Sequence, residues 1–519
     1  MRAAGLLVLA LVPVVAGCAS RARVLPPPDL SAGLAEADAQ LHAGCFDCLR
    51  DSLAKYQALR VVTGALAAAT QRATVGAFRA AALLALRQRE LGMVNDGYLS
   101  TARQIRASWS CEAVLDCASS DRILEAIELM PTGAPGESAR PPATDLDFSF
   151  RQRTSRSRQE WSAAFRAEAA QDPLAAYVWL GYACGPFGDS RRDEALAAIG
   201  PLRDLPLLRF KEALCYLRQD GLQAVVAAEP RYREVSYLSG VAAVAGIKLD
   251  EAAEAFGEAY AWHSQWPAVT LAMGNVQLTS EEFERALDFY DRTLQLEPLV
   301  IDAMLGRVRA LTYLGRYEHA VTASDQLLAG RWYLGEARYW RALNEVSLGR
   351  LDEAWADVEE AAKLLVNAEV PKLAGIIAYR RKELDVARAK FDLSRGRNQS
   401  DCETGFYLGV VLAEQRNWVR TADVFIATAS CLRTAAVEAA QEIERIRMSD
   451  APPERRQRQI ARRERQIAEG ERMTATSAFN TAVAYYNLSR GEDARPFAET
   501  VRDDPQFGDR ARDLLSRLK

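Results

Sequence analysis

The chain is expected to fold as an all-α solenoid of antiparallel helix pairs, and three observations lead there. Residue types recur at a step of 34: Ala252, Ala286, Ala320 and Ala354, then Gly240 with Gly274, Phe256 with Tyr290, Gly315 with Gly349, and Phe391 with Phe425. A period of that length marks a stacked repeat rather than a globule. Alanine, leucine, arginine and glutamate dominate, and long period-two runs of β-branched residues are missing, so strands are not expected. Finally, 519 residues exceed what one compact core accommodates, while 49% apolar and 26% charged residues describe a folded chain.

The first element is not part of the fold. Arg2 is followed by the apolar stretch from Leu6 to Val15, too short for a membrane span, which needs about 20 such residues. It ends in Val15-Ala16-Gly17-Cys18, which resembles a bacterial lipobox. That resemblance implies cleavage after residue 17 and a lipid on the Cys18 thiol. With Ala19 and Ser20 in place of acidic residues, it also implies the outer membrane of a Gram-negative cell, facing the periplasm. Residues 1–17 are therefore expected to be a signal peptide. Residues 18–33, with Leu25-Pro26-Pro27-Pro28, form a tether.

A helical domain of degenerate repeats is expected over 34–130, where Ala43-Gly44-Cys45-Phe46 reads as a turn and an aromatic. Residues 131–157 concentrate Pro, Gly, Ser and Thr and read as a linker. The main array follows over 158–435. Its clearest copy runs from Pro267 to Glu297, with Gly274 on helix A, Ala286 and Tyr290 on helix B, and Pro298 as the stop. Small Gly274 and Ala286 let two helices approach closely, and Tyr290 fills the gap to the next one. Gly315 and Gly349 suit the left-handed residue that ends helix A. A charged, Arg-rich helical segment is expected over 436–472, broken at 450–454, where Pro452 and Pro453 can sit in a first helical turn with Asp450 as a cap. A last repeat and a capping helix are expected over 473–519.

These features resemble the tetratricopeptide repeat, so the chain is similar to tetratricopeptide lipoproteins along most of its length. The resemblance implies a concave groove lined by A helices, with Tyr237, Leu271, Asn275, Leu305, Arg309, Tyr339 and Phe406 at the ligand-facing positions. Aromatics and an arginine in a groove suit recognition of an extended peptide or a helix.

Apart from Cys18, eight cysteines remain in an oxidising compartment, and they fall into neighbouring pairs: Cys45 with Cys48, Cys111 with Cys117, Cys184 with Cys215, and Cys402 with Cys431. Spacing alone does not fix the connectivity. Cys402 and Cys431 should share one end of a hairpin, and Cys184 and Cys215 should lie near the ends of consecutive A helices. The Cys45-Phe46-Asp47-Cys48 spacing has no second CxxC to complete a zinc site.

The net charge is −4, and −5 once Arg2 is removed, which argues against a nucleic-acid partner. His42, His263 and His319 stand apart from one another, and no nucleophile elbow, metalloprotease helix or phosphate loop occurs. No catalytic residue, metal or cofactor is therefore expected. Arg455, Arg456, Arg458, Arg462, Arg463 and Arg465, interleaved with Gln and Glu464, read as a long solvated helix or as a patch for an acidic glycan or lipid. The expected role is a scaffold or adaptor for other envelope proteins, held to the membrane by its lipid. The alternatives are a glycan- or lipid-binding protein using the Arg-rich helix, and a cell-wall hydrolase, for which no acid–base constellation is present. Replacing Cys18 with Ala should leave the chain unprocessed and abolish labelling by a fatty-acid probe; equal labelling of both proteins would refute lipidation.

Overall fold

The computed structural model describes residues 27–93, 97–109, 117–130, 155–183, 189–216, 219–329, 334–449 and 451–518. The signal peptide, Cys18, Cys111, Cys184, Asp450 and nearly all of the expected linker lie outside the described residues. Among the described residues the regular structure is entirely helical. The N-terminal helices are α1 (Ser31–Ala43), α2 (Phe46–Leu59), α3 (Ala67–Leu91), α4 (Tyr98–Ala107) and α5 (Cys117–Leu129). Then come α6 (Ser155–Glu168), α7 (Pro173–Ala183), α8 (Asp189–Ile199), a short 3-10 turn, α9 (Pro206–Tyr216) and α10 (Gln219–Ala228).

Six regular hairpins follow: α11 (Val235–Ala245) with α12 (Leu249–Trp262), α13 (Pro267–Thr279) with α14 (Phe283–Leu296), and α15 (Ile301–Tyr313) with α16 (Tyr317–Leu328) come first. They continue with α17 (Gly335–Ser347) and α18 (Leu351–Leu364), α19 (Glu369–Arg380) and α20 (Leu384–Arg397), and α21 (Cys402–Glu414) and α22 (Trp418–Met448). The chain ends in α23 (Pro453–Asn487), α24 (Gly491–Thr500) and α25 (Gly508–Arg517).

One fit recurs in these hairpins. A Cβ on Gly240, Gly274, Gly375 or Gly409 would stand 2.5–2.7 Å from the ring of Phe256, Tyr290, Phe391 or Phe425, each sixteen residues further on. The bare glycine is what lets helix B lay an aromatic on helix A. In the third and fourth hairpins the equivalent pairs are Val308 with Ser324 and Ala342 with Val358, all at most 1% exposed. In the first of these the bulk has moved to helix A, and in the second it is shared more evenly, so the buried volume stays roughly constant.

The turn between the two helices is equally regular. Ile247, Glu281, Gly315, Gly349, Lys382 and Arg416 all have φ between 58° and 78°. Gly315 and Gly349 take the left-handed form the sequence implies, and four larger residues adopt it at the same place. Successive A helices pack on one another across each repeat boundary more closely than successive B helices do, so the A helices line the concave side.

The expected division into an N-terminal domain and a separate array is corrected by the packing. One continuous core runs from Leu34 to Val276. A buried ionic cluster sits inside it. Arg87 of α3 pairs with Glu234 before α11, and Glu90 pairs with Lys211 of α9, all four at most 1% exposed. The Arg87 guanidinium lies 3.8 Å over the Phe210 ring, Glu234 accepts the Phe46 amide at 2.9 Å, and Tyr177 donates to Glu90. Trp266 and Tyr232 add hydrogen bonds to the carbonyls of Leu91 and Ala43, both at 2.7 Å. Removing one partner from such a cluster strands a buried charge and costs about 3–5 kcal/mol. A linker between independent domains would not require it.

The disulfide Cys45–Cys48 is buried at the turn between α1 and α2, and Cys402–Cys431 ties the two ends of its hairpin with Cα atoms 5.6 Å apart. Cys117 and Cys215 are also disulfide-bonded. Replacing Gly375 with Ala should destabilise the array by about 1–3 kcal/mol through the clash with Phe391. Adding Phe391→Leu should recover part of the loss, as read from urea melts of the full chain.

Candidate functional site

The fold puts the predicted groove residues in two different settings. Tyr237 and Leu271 are each 4% exposed. Tyr237 packs its ring 4.8 Å from that of Trp266, and Leu271 belongs to the core shared with Tyr290 and Val300. Both are corrections: these side chains hold the first repeats together and do not line an open groove. Asn275 is exposed and accepts the Tyr290 hydroxyl at 2.8 Å. Leu305, Arg309, Tyr339 and Phe406 are half-buried on A helices. Arg309 pairs with Glu336 and lies 5.7 Å over the Trp340 ring. Tyr339 meets Trp340 edge-on at 5.7 Å, and burial pushes its phenol up to about 12. Phe406 touches Tyr407 and Phe425.

The sequence reading missed the residues that concentrate around Arg309. Phe283 and Tyr313 stack at 4.8 Å, and Tyr313 meets Trp340 edge-on at 5.8 Å. With Glu281, Arg309 and Arg462 they line a cleft of 320 Å³. Tyr313 lies one helical turn beyond Arg309 and Trp340 adjoins Tyr339, so the helical register could have pointed to both. Arg462 carried no such signal, because it arrives from far along the chain.

Its arrival corrects the picture of the Arg-rich segment as a solvated helix. α22 and α23 are 31 and 35 residues long, about 46 and 52 Å, and the parts that run on past their repeats pair as one antiparallel arm. Pro453 occupies the first helical position, as expected, and Pro452 takes the cap position expected of Asp450. The arm returns its tip to the turns of the first two hairpins. Arg455 pairs with Asp250 at 2.7 Å, Arg458 with Glu282 at 2.6 Å, and Arg462 and Arg463 with Glu281 at 3.4 and 3.3 Å. The Arg462 guanidinium also lies 5.2 Å from the Phe283 ring and 5.9 Å from that of Tyr313. Arg456 donates to the Ser449 carbonyl. Four of the six arginines thus engage the chain's own carboxylates.

No family model matches the chain, and no curated protein matches it. Several solved structures resemble parts of it. A tetratricopeptide-repeat protein of Thermus thermophilus aligns over 35% of this chain and 98% of its own, at 18% identity and a TM-score of 0.30. PilF of Pseudomonas aeruginosa aligns over 52% of this chain and 99% of its own, at 12% identity and a TM-score of 0.36. The APC/C hetero-tetramer Cut9-Hcn1 aligns over 93% of this chain and 89% of its own, at 12% identity and a TM-score of 0.39. The fold is a tetratricopeptide-repeat solenoid, by its own 34-residue hairpins. Among the described residues no group of three or more His, Cys, Asp or Glu side chains could hold a metal ion, and no helix is long and apolar enough to cross a membrane.

The helix that carries Tyr339 and Trp340 also carries a titrating carboxyl. Glu345 is 7% exposed. Burial pushes its pKa from an ordinary 4.5 to about 7, with the Asp357 charge adding to the rise and Arg341 opposing it. The folded chain therefore holds this proton more tightly than the unfolded one. The resulting stabilisation is complete below pH of about 4.5 and is lost as the pH climbs through about 7. Glu345→Gln, which keeps the site neutral, should raise the melting temperature more at pH 8 than at pH 5.

Proposed function

We propose that the protein is a lipid-tethered scaffold of the Gram-negative cell envelope, which captures another protein or a peptide on the concave face of its A helices. The observation that carries this reading is the set of half-buried Arg309, Tyr339, Trp340 and Phe406 on three of the A helices, α15, α17 and α21. Rigid aromatics beside a guanidinium bury much area on binding with little entropy to lose, as interaction hot spots do. The lipobox-like Val15-Ala16-Gly17-Cys18 supports the tether. The half-buried Cys402–Cys431 bridge suits an oxidising compartment such as the periplasm. Binding fits this surface better than catalysis, because its polar groups are already engaged in ion pairs that hold the repeats together.

The test uses the full-length lipidated protein, cross-linked in membranes and purified with whatever it holds. Replacing Arg309, Tyr339 and Phe406 together with Ala should remove the captured proteins and leave helical content unchanged. A variant that captures the same proteins as the unaltered chain would overturn the reading.

A further inference from the structure

The arm raises a question that the scaffold reading leaves open: what chemistry does the groove recognise? Its tip supplies an answer. Residues Asp250, Glu281 and Glu282 form a row on consecutive turns between the A and B helices, and Phe283, Tyr313 and Trp340 form a stepped aromatic surface beside it. Onto this composite the chain lays one face of a helix, with arginines at 455, 458 and 462. That spacing of i, i+3 and i+7 turns all three toward the same side. The charges are complementary pair by pair, and the middle of the contact is a guanidinium over aromatic rings.

The contact is built to be exchanged. No side chain between residues 451 and 476 is buried. Each pair keeps one partner in solvent: Asp250 is 70% exposed against Arg455 at 19%, and Arg458 is 56% exposed against Glu282 at 10%. Exposed ion pairs contribute little each and are screened by salt. Glu281, which holds two of the arginines, sits in the left-handed turn that all six hairpins share, with φ of 64°. The other helix of the arm is different. Leu432, Ala439, Ile443 and Ile446 of α22 are buried along the seam with α23, and Cys402–Cys431 staples α22 to its repeat, so the tip of the arm can lift as a paired hairpin while its foot holds.

We propose that the Asp250–Glu281–Glu282 row with its aromatic ladder is a docking surface for an arginine-bearing helix of a partner protein, and that the chain's own arm occupies it as a competitor the partner displaces. This rests on the scaffold reading and names the chemistry of its partner. The arm is the stand-in: it shows which helix face fits, and its tethering gives it a high local concentration that a weak or wrongly charged competitor does not overcome. Selectivity follows, since an acidic or apolar helix would leave Glu281 and Glu282 unpaired.

The probe is a labelled peptide of residues 452–472, and the protein is the full chain carrying Arg455→Ala, Arg458→Ala, Arg462→Ala and Arg463→Ala. Fluorescence anisotropy should show binding to this released protein that weakens steeply with salt, and binding to the unaltered chain at least about tenfold weaker. Adding Glu281→Lys and Glu282→Lys to the released protein should abolish binding. Equal binding to the released and unaltered chains, no binding to the released chain, or equal binding of a peptide with the same composition and shuffled arginines would overturn the proposal. Should the fourfold variant fail to fold, the charge swap decides. Arg458→Glu alone should raise amide exchange over residues 453–470, and adding Glu282→Arg should restore protection; no rise in the single variant overturns the proposal. Proteins captured through Arg309, Tyr339 and Phe406 while the peptide fails to bind would leave the scaffold reading standing and remove only this one.

Discussion

The close approach of helix A to helix B within each hairpin is the constraint on which everything else depends. A glycine or other small residue faces an aromatic sixteen positions later, and the pair sets how near the two axes lie. Stacked repeats that keep this approach curve, with the A helices on the inner side. The buried pairs Val308–Ser324 and Ala342–Val358 show that what each repeat preserves is the filled volume, not the residue type. Tyr290 serves two interfaces at once, since Gly306 of the next A helix leaves room for the same ring.

That curvature brings distant parts of the chain together. At one end it lets α1 to α3 share a core with the first repeats, locked by Arg87, Glu90, Lys211 and Glu234. Buried ion pairs stabilise less than apolar packing of the same volume, but they tolerate no alternative register. The cluster therefore reads as a device that fixes how the N-terminal helices dock. At the other end, curvature places the turns of the first hairpins within reach of an arm that begins about 200 residues later. A straight stack of the same repeats would leave the arm in solvent.

The arm and the groove are consequently one surface. Arg309 belongs to the A helices and Arg462 to the arm, and both face the same aromatic cleft. The A–B turns also carry ion pairs from one repeat to the next, Arg316 with Glu284 and Arg350 with Glu318 at 2.7 Å. The arm's arginines continue that ribbon onto the earlier turns, where Glu281 and Glu282 meet them. The same physics therefore serves stacking within the array and contact across it.

The sequence by itself determined the class of fold, the length and phase of the repeat, and the role of its small and aromatic residues. Those are local properties: helix period, turn chemistry and the step of 34 all repeat along the chain. It also pointed to Arg309 and Tyr339, because position within a repeat fixes which way a helical residue faces. Only the tertiary structure decided that Tyr237 and Leu271 are core: Tyr237 joins the core shared with the N-terminal helices, which no periodicity announces, and Leu271 packs among the second and third repeats. Only the tertiary structure, likewise, showed the Arg-rich helix against Asp250, Glu281 and Glu282. That contact depends on curvature summed over five repeats, and a small rotation per repeat leaves no mark in any one of them.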